Sequence, residues 1–167
     1  MRQLLIPLAR AKLLLGGSAL KELSSRIGCK IELKDDNELV LDGDAYAEYI
    51  AYNVLQAFGR GFDINTALKL ASDDYFFKSI DLKLLFKNEK QIERMKARVI
   101  GSGGKTKKYI QTVSGADIAL YGNTISGIGT IEQLRIAYSA IDILLAGGTH
   151  KKAYRIMERE RKGVVYG

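Results

Sequence analysis

Apolar and polar positions along this chain trace one pattern twice. Gly28-Cys29-Lys30-Ile31-Glu32-Leu33 and Gly115-Ala116-Asp117-Ile118-Ala119-Leu120 both alternate, the first strictly and the second loosely. A period of two places the apolar side chains on one face of a strand. Each segment then crosses a polar turn to a second short strand, Leu39-Val40-Leu41 in one case and Thr124-Ile125-Ser126 in the other. Glycine follows both times, at Gly43 and Gly129. Stretches of helical period come next, at 45–58 and 131–145, with Ala51-Tyr52 and Ala137-Tyr138 at matching places. The copies are 87 residues apart before the turn and 86 after it, so the second turn is one residue shorter. Repetition of this kind marks a duplicated structural unit.

Each copy also opens alike. A strand, at 3–8 and at 76–82, precedes a helix, a glycine-containing break and a second helix. The expected order is β-α-α-β-β-α, twice, an α+β fold. The long helices run into Gly59 and Gly147, where a left-handed cap costs little. Gly59-Arg60-Gly61 marks a turn between the copies, and Asp63 is placed to cap a short connecting helix over 64–70. The expected boundaries are 1–60 for the first domain, 61–74 for the connection and 75–167 for the second domain. No flexible linker separates the copies, so they are expected to pack together.

Charge separates what the pattern makes alike. Of the 167 residues, 1–72 hold nine basic and nine acidic side chains, whereas 73–167 hold seventeen and ten. The whole net charge of +7 therefore belongs to the second copy. Arg94, Lys96, Arg98, Lys105, Lys107 and Lys108 meet no acidic residue between Arg94 and Ala116. A one-sided block around glycines reads as a phosphate-facing patch rather than an ordinary solvated surface.

The glycines lie in Val99-Ile100-Gly101-Ser102-Gly103-Gly104-Lys105-Thr106. A Walker A loop would need glycine at Val99 and a buried strand before it, but 89–98 is charged and helical in period. A dinucleotide fingerprint fails because Thr106 stands at the last glycine position. Gly-x-x-Gly between two helices, the loop of a KH module, fits. Glycines without Cβ let a sugar–phosphate backbone come close. The next helix turns its free N–H groups and positive dipole end toward phosphate. Lys105, Lys107, Lys108 and Arg98 add charge that reads no sequence. Bases are expected over an apolar floor of Ile100, Ile110 and the Ile118 strand. The candidate RNA-binding set is thus Arg98, Ile100, Gly101, Ser102, Gly103, Gly104, Lys105, Thr106, Lys107, Lys108 and Ile118.

The first copy has no intact loop. Counting back from Gly28 aligns Leu14-Leu15-Gly16-Gly17 with the motif, and counting forward from Pro7 aligns Gly16-Gly17-Ser18-Ala19. One glycine is missing in either register, so this copy is expected to be structural or to bind protein.

Over nearly its whole length the chain resembles the archaeal and eukaryotic KH-repeat ribosome-assembly proteins of the Partner-of-Nob, Krr-like, type. The residues that carry the likeness are Asp73-Asp74-Tyr75, Ile80-Asp81-Leu82 and 92–115. Further on come Ala119-Leu120-Tyr121-Gly122-Asn123-Thr124, Gly147-Gly148-Thr149-His150 and Ala153-Tyr154-Arg155-Ile156-Met157-Glu158. The resemblance implies two tandem type I KH domains, the first degenerate. It implies binding of single-stranded RNA near the 3′ end of small-subunit rRNA and help with its maturation. Implied partners are the endonuclease that trims that end and the alpha subunit of archaeal initiation factor two; the short N-terminus suits an archaeal form. Two departures stand out. Ser102-Gly103 replaces the usual lysine between the loop glycines, and Ala97-Arg98 replaces Gly-Arg ahead of the loop.

Little here suggests catalysis. His150 is the sole histidine, so neither a histidine triad nor a histidine-rich metal site can be built. It is expected to meet a helix C-terminal carbonyl or to pack. Asp35-Asp36 reads as turn chemistry and Asp73-Asp74 as the approach to a strand. Cys29 alone allows no internal disulfide and reads as a small core residue. Tyr46, Tyr49 and Tyr52 read as packing residues rather than base platforms. No cofactor is implied. Pro7, Arg10 and Lys12 break the apolar N-terminus below signal or membrane-spanning length, so the expected setting is cytoplasmic, without a membrane. The remaining alternatives are a generic KH protein of mRNA turnover, transcription or translation, and a protein-binding scaffold that would leave the basic loop unexplained.

Overall fold

The computed structural model describes the backbone of residues 1–166 and the side chains of residues 1–163. The chain forms two compact units, Met1–Asp73 and Asp74–Gly167. The first unit runs β1 (Arg2–Leu5), α1 (Leu8–Ala11), α2 (Ser18–Ile27), β2 (Lys30–Lys34), β3 (Glu38–Asp42), α3 (Ala45–Gly59) and α4 (Ile64–Ala67). The second runs β4 (Phe76–Asp81), α5 (Leu82–Leu85), α6 (Glu89–Ile100), α7 (Lys105–Ser114), β5 (Asp117–Tyr121), β6 (Thr124–Gly129), α8 (Ile131–Leu145) and α9 (His150–Tyr166).

Each unit holds a three-stranded antiparallel sheet with its third strand in the middle, β1-β3-β2 and β4-β6-β5. The helices α2 and α7 are ten residues long and start 87 residues apart, and α3 and α8 are fifteen long and start 86 apart. The lost residue lies in the hairpin. Lys34 pairs with Glu38 across a three-residue turn, while Tyr121 pairs with Thr124 across Gly122-Asn123. Asp35 accommodates the longer turn with φ 51°, a conformation that aspartate tolerates better than most residues.

The expected order holds, with local corrections. The first strand ends at Leu5 because Pro7, which lacks an N–H, begins the helix instead. The fourth ends at Asp81, whose carboxylate accepts from the Lys83 amide and turns Leu82 into a short helix. Asp63 caps the connecting helix as expected, but the α-helix stops at Ala67 and tightens to a 3₁₀ turn over Leu68–Ala71. Gly147 is the left-handed residue after α8, with φ 90°. Gly59 is not its counterpart. It remains helical, with Ile6 Cγ2 3.0 Å from where a Cβ would stand, and Gly61 takes the positive φ.

In the first unit, Leu23, Leu39, Leu41 and Leu55 are wholly enclosed. Arg10 interrupts the apolar N-terminus for a local reason. Its guanidinium donates to the carbonyls of Phe58 (2.9 Å) and Phe62 (2.7 Å), at the end of α3 and just beyond, where a cation is favoured. Tyr46 and Tyr49, expected to pack, are instead 59% and 54% exposed. Their face of α3 meets no sheet, and Tyr46 donates to Asp73 at 3.1 Å. Tyr52 lies under the Arg2 guanidinium, 4.9 Å from the ring centre.

The second unit buries Val99, Ile110, Ile125, Ile141, Leu144 and Met157 in one core. Each such side chain contributes about 1.5–3 kcal/mol relative to exposure. Met157 and Ala153 bind α9 to this core. Among the described residues no helix is long and apolar enough to cross a membrane.

Tyr138 of α8 is 2% exposed and donates to the carbonyls of Lys78 (3.0 Å) and Ile125 (3.3 Å). Burial first, then the charge of Asp142, pushes its phenol far above the ordinary value near 10. The folded state keeps this proton after the unfolded chain has lost it. Stability is therefore full below pH ~10 and falls as pH rises beyond it. Tyr138→Phe is expected to lower neutral-pH stability by about 1 kcal/mol for the lost hydrogen bonds and to flatten part of the alkaline loss. Urea melts at neutral and alkaline pH read both effects.

Candidate nucleic-acid interface

The glycine loop follows from the way α6 ends. Asn88 starts that helix by accepting from the Gln91 amide at 2.8 Å. At Gly101 the backbone leaves the helix with φ 75° and ψ 170°, a conformation essentially closed to side chains. A Cβ there would lie 2.2 Å from Thr106 Oγ1 and 2.7 Å from the Thr106 amide nitrogen. Gly101 is therefore required twice, by conformation and by space. Ser102–Gly104 makes one 3₁₀ turn, closed by the Gly104 amide on the Gly101 carbonyl at 3.1 Å. Gly103 and Gly104 have φ of 60° and 79°, and nothing lies within 4 Å of a Cβ at either.

The start of α7 is left uncapped. Asp44, Asp63, Asp81, Asn88 and Thr130 each satisfy an amide of the helix they precede, but Gly104 offers no side chain. First-turn N–H groups without a capping side chain suit an anion. Lys105 and Lys108 are exposed and Lys107 is half-buried. No carboxylate pairs with any of the three among the described residues. Lys96, counted in the same block, is already satisfied by Glu93 at 3.2 Å.

The other candidate residues take different places. Ser102 is exposed and Ile100 half-buried. Thr106 is 3% exposed, and its Oγ1 accepts from the Tyr154 hydroxyl at 3.1 Å, so it supports the loop from beneath. Arg98 donates through Nη2 to the Gly148 carbonyl, and its own carbonyl accepts from His150 Nε2 at 2.9 Å. This reciprocal pair pins the start of α9 to the end of α6, the carbonyl role expected of His150. Ile110 and Ile118, expected as the floor under bases, are 0% and 3% exposed. They belong to the core, leaving Ile100 as the part of that floor with surface to offer.

The first unit follows the register counted back from Gly28. Gly17 precedes α2 with φ 79°, as Gly104 precedes α7, and Gly28 ends α2 with φ 77°, as Gly115 ends α7 with φ 80°. Leu14 therefore stands where the second unit has Gly101. It is 2% exposed, a core side chain in place of the open turn.

Residues 76–162 match the family model for the second KH domain of Pno1, a eukaryotic type KH-domain (KH-domain type I). A KH domain-containing protein of Methanocaldococcus jannaschii is 37% identical over 166 residues, 95% of this chain and 73% of that protein. The chain belongs to the Pno1 family. The Pno1 relative of Schizosaccharomyces pombe, a pre-rRNA-processing protein, is 33% identical over 102 residues, 60% of this chain and 42% of its own length. The chain thus spans under half of that eukaryotic Pno1. The crystal structure of an a/eIF2alpha–aDim2p–rRNA complex from Pyrococcus horikoshii matches with TM-score 0.88 and 30% identity, covering 97% of this chain and 94% of that one. Within the Pno1 family fold, the present chain has two tandem type I KH domains, the first degenerate.

Proposed function

We propose that the second unit grips single-stranded RNA at Gly101-Ser102-Gly103-Gly104, and that the protein is a small-subunit ribosome-assembly factor acting near the 3′ end of the rRNA. The observation that carries this is the uncapped α7 behind an exposed Ser102 and two glycines, Gly103 and Gly104, with open space where a Cβ would stand, flanked by Lys105, Lys107 and Lys108 without acidic partners among the described residues. Phosphates would approach the amides, the lysines would neutralise them, and Ile100 would meet a base. The S. pombe relative's role in pre-rRNA processing and the Pyrococcus complex with rRNA both support the choice of RNA. That complex also supports the alpha subunit of the initiation factor as a partner. The endonuclease that trims the rRNA 3′ end is the further partner in this reading. Binding without chemistry fits the one histidine, which donates to a backbone carbonyl. The first unit, with Leu14 closing its loop, serves as structure or as a protein-binding face.

Sequencing RNA crosslinked to the protein is the deciding experiment. Enrichment at the small-subunit rRNA 3′ region supports the assignment, and dispersed transcripts would replace it with a general KH binder. Affinity is also expected to fall with salt as counterions are displaced. With about three or four phosphates neutralised, the log–log slope for a single strand should be roughly −2 to −3. A flat dependence in a titration from low to moderate salt would give the basic patch another purpose.

A further inference from the structure

Behind the loop, on the helical side of the second unit, lies an open cleft of about 560 Å³. Its walls come from the end of α6, the loop, the start of α7 and the first turns of α9. Arg94, Arg98, Ser102, Lys105, His150 and Tyr154 line it. The core, by contrast, contributes no large apolar side chain to these walls.

Three cations face this space and none has a carboxylate partner among the described residues. Arg94 and Lys105 are exposed and Arg98 is half-buried. Arg98 Nη2 is taken by the Gly148 carbonyl, but Nε is enclosed with no acceptor. Its charge thus sits in a partly desolvated place with no counter-ion, a cost that an anion in the cleft would offset. The walls are held in position without a ligand. Arg98 and His150 tie α6 to α9 through each other's backbone neighbourhoods. Tyr154 donates to Thr106 and packs on Tyr109 with ring centres 4.6 Å apart, and Tyr109 in turn donates to Glu158 at 2.7 Å. Prearranged cations beside ring surface form the kind of site that a nucleotide fits.

Position selects which nucleotide. Ser102 and Lys105 belong both to the loop and to the cleft wall, so a strand held at the loop passes the mouth of the cleft. Lys151 and Lys152, both exposed at the start of α9, extend the positive surface away from it. We propose that this cleft is a second RNA subsite. It takes a nucleotide flanking those gripped by the loop, with its phosphate on Arg94, Arg98 and Lys105 and its ribose or base against His150 and Tyr154. The RNA footprint of the second unit is then longer than the roughly four nucleotides that a KH loop clamps.

This inference rests on the RNA-binding reading, and the test separates the two. Two RNAs are titrated by fluorescence anisotropy against the full chain, a tetranucleotide and the same core extended by two nucleotides on each side. The variants are Arg94→Ala and the double variant Ser102→Asp/Gly103→Asp. Arg94→Ala is expected to weaken the longer RNA about fivefold, the upper size of one ion pair at an exposed side chain, and to change the tetranucleotide less than twofold. The longer RNA should also show a salt slope steeper by roughly 0.7 per phosphate held in the cleft, reduced in Arg94→Ala. A 4-thiouridine at a flanking position is expected to crosslink to the peptide holding His150 and Tyr154. Equal losses on both RNAs, no loss on either, or flanking crosslinks confined to the loop would overturn the subsite. If the double variant binds both RNAs as tightly as the wild type, the RNA-binding reading itself fails.

Discussion

Aspartate at both Ser102 and Gly103 is expected to weaken RNA binding by about 30- to 100-fold while leaving the fold intact. The affinity loss has two sources. Favourable amide–phosphate and lysine–phosphate contacts are lost, and two carboxylates are brought against the phosphates. Together they are worth about 2–3 kcal/mol, the scale of one or two charge-assisted hydrogen bonds. The fold is spared because Ser102 is exposed and a Cβ at Gly103 meets nothing within 4 Å. Gly103 has φ 60°, where aspartate costs on the order of 1 kcal/mol. For a unit of this size that is a fall in Tm of about 4–8 °C. Gel shifts paired with thermal melts read both quantities. Wild-type affinity in a folded double variant would remove the loop from the RNA-binding site.

Gly101→Ala should do the opposite, damaging the fold more than any other single change in the loop. Its Cβ would fall 2.2 Å from Thr106 Oγ1 and 2.7 Å from the Thr106 amide, while φ stays at 75°. The side-chain conflict could be relieved by moving Thr106, but the amide belongs to the first turn of α7 and cannot move alone. Strain of roughly 1–3 kcal/mol in this glycine-only region of backbone space and overpacking of about 1–3 kcal/mol make a loss near 2–6 kcal/mol. The melting temperature of the second unit should drop by more than 10 °C. Adding Thr106→Ala should recover little, since the clash with the amide remains. Gly104→Ala, at φ 79° with no neighbour within 4 Å, should lose only about 1 kcal/mol. Gly16→Asp in the first unit, at φ 96° in open space, belongs with that milder group and should leave RNA affinity nearly unchanged. Equal stability of the Gly101 and Gly104 variants by calorimetry would contradict the close packing of Thr106 against Gly101.

The contrast shows why a negative charge at Gly101 is a poor probe of affinity. Sequence reasoning treats the loop glycines as equivalent, because each merely lacks a side chain. In the structure Thr106 of α7 fills the space that a Cβ at Gly101 would take, whereas that space is open at Gly103 and Gly104. Substitutions at the last two report on RNA at a smaller cost to folding.

The sequence by itself determined the architecture, because strand and helix periods are local and were written twice at a near-constant offset. It determined the loop as well, since glycine is the residue that permits these backbone angles, and it located the charge in the second copy by simple counting. What only the tertiary structure decided was which side chains face outward. Ile118 alternates as a strand residue should, yet period two cannot say whether the face it shares is covered, and helices cover it. Tyr46 and Tyr49 fit a helical stripe, but no sheet lies under their part of α3. Arg98 counts as a free cation in any tally of charge, although the Gly148 carbonyl, fifty residues away, holds it. The cleft beside the loop exists only because Met157 and Ala153 dock α9 on the core, bringing His150 and Tyr154 to Arg94 and Arg98. Such placements depend on burial between elements distant in sequence, where packing free energy, rather than any local preference, selects the partner.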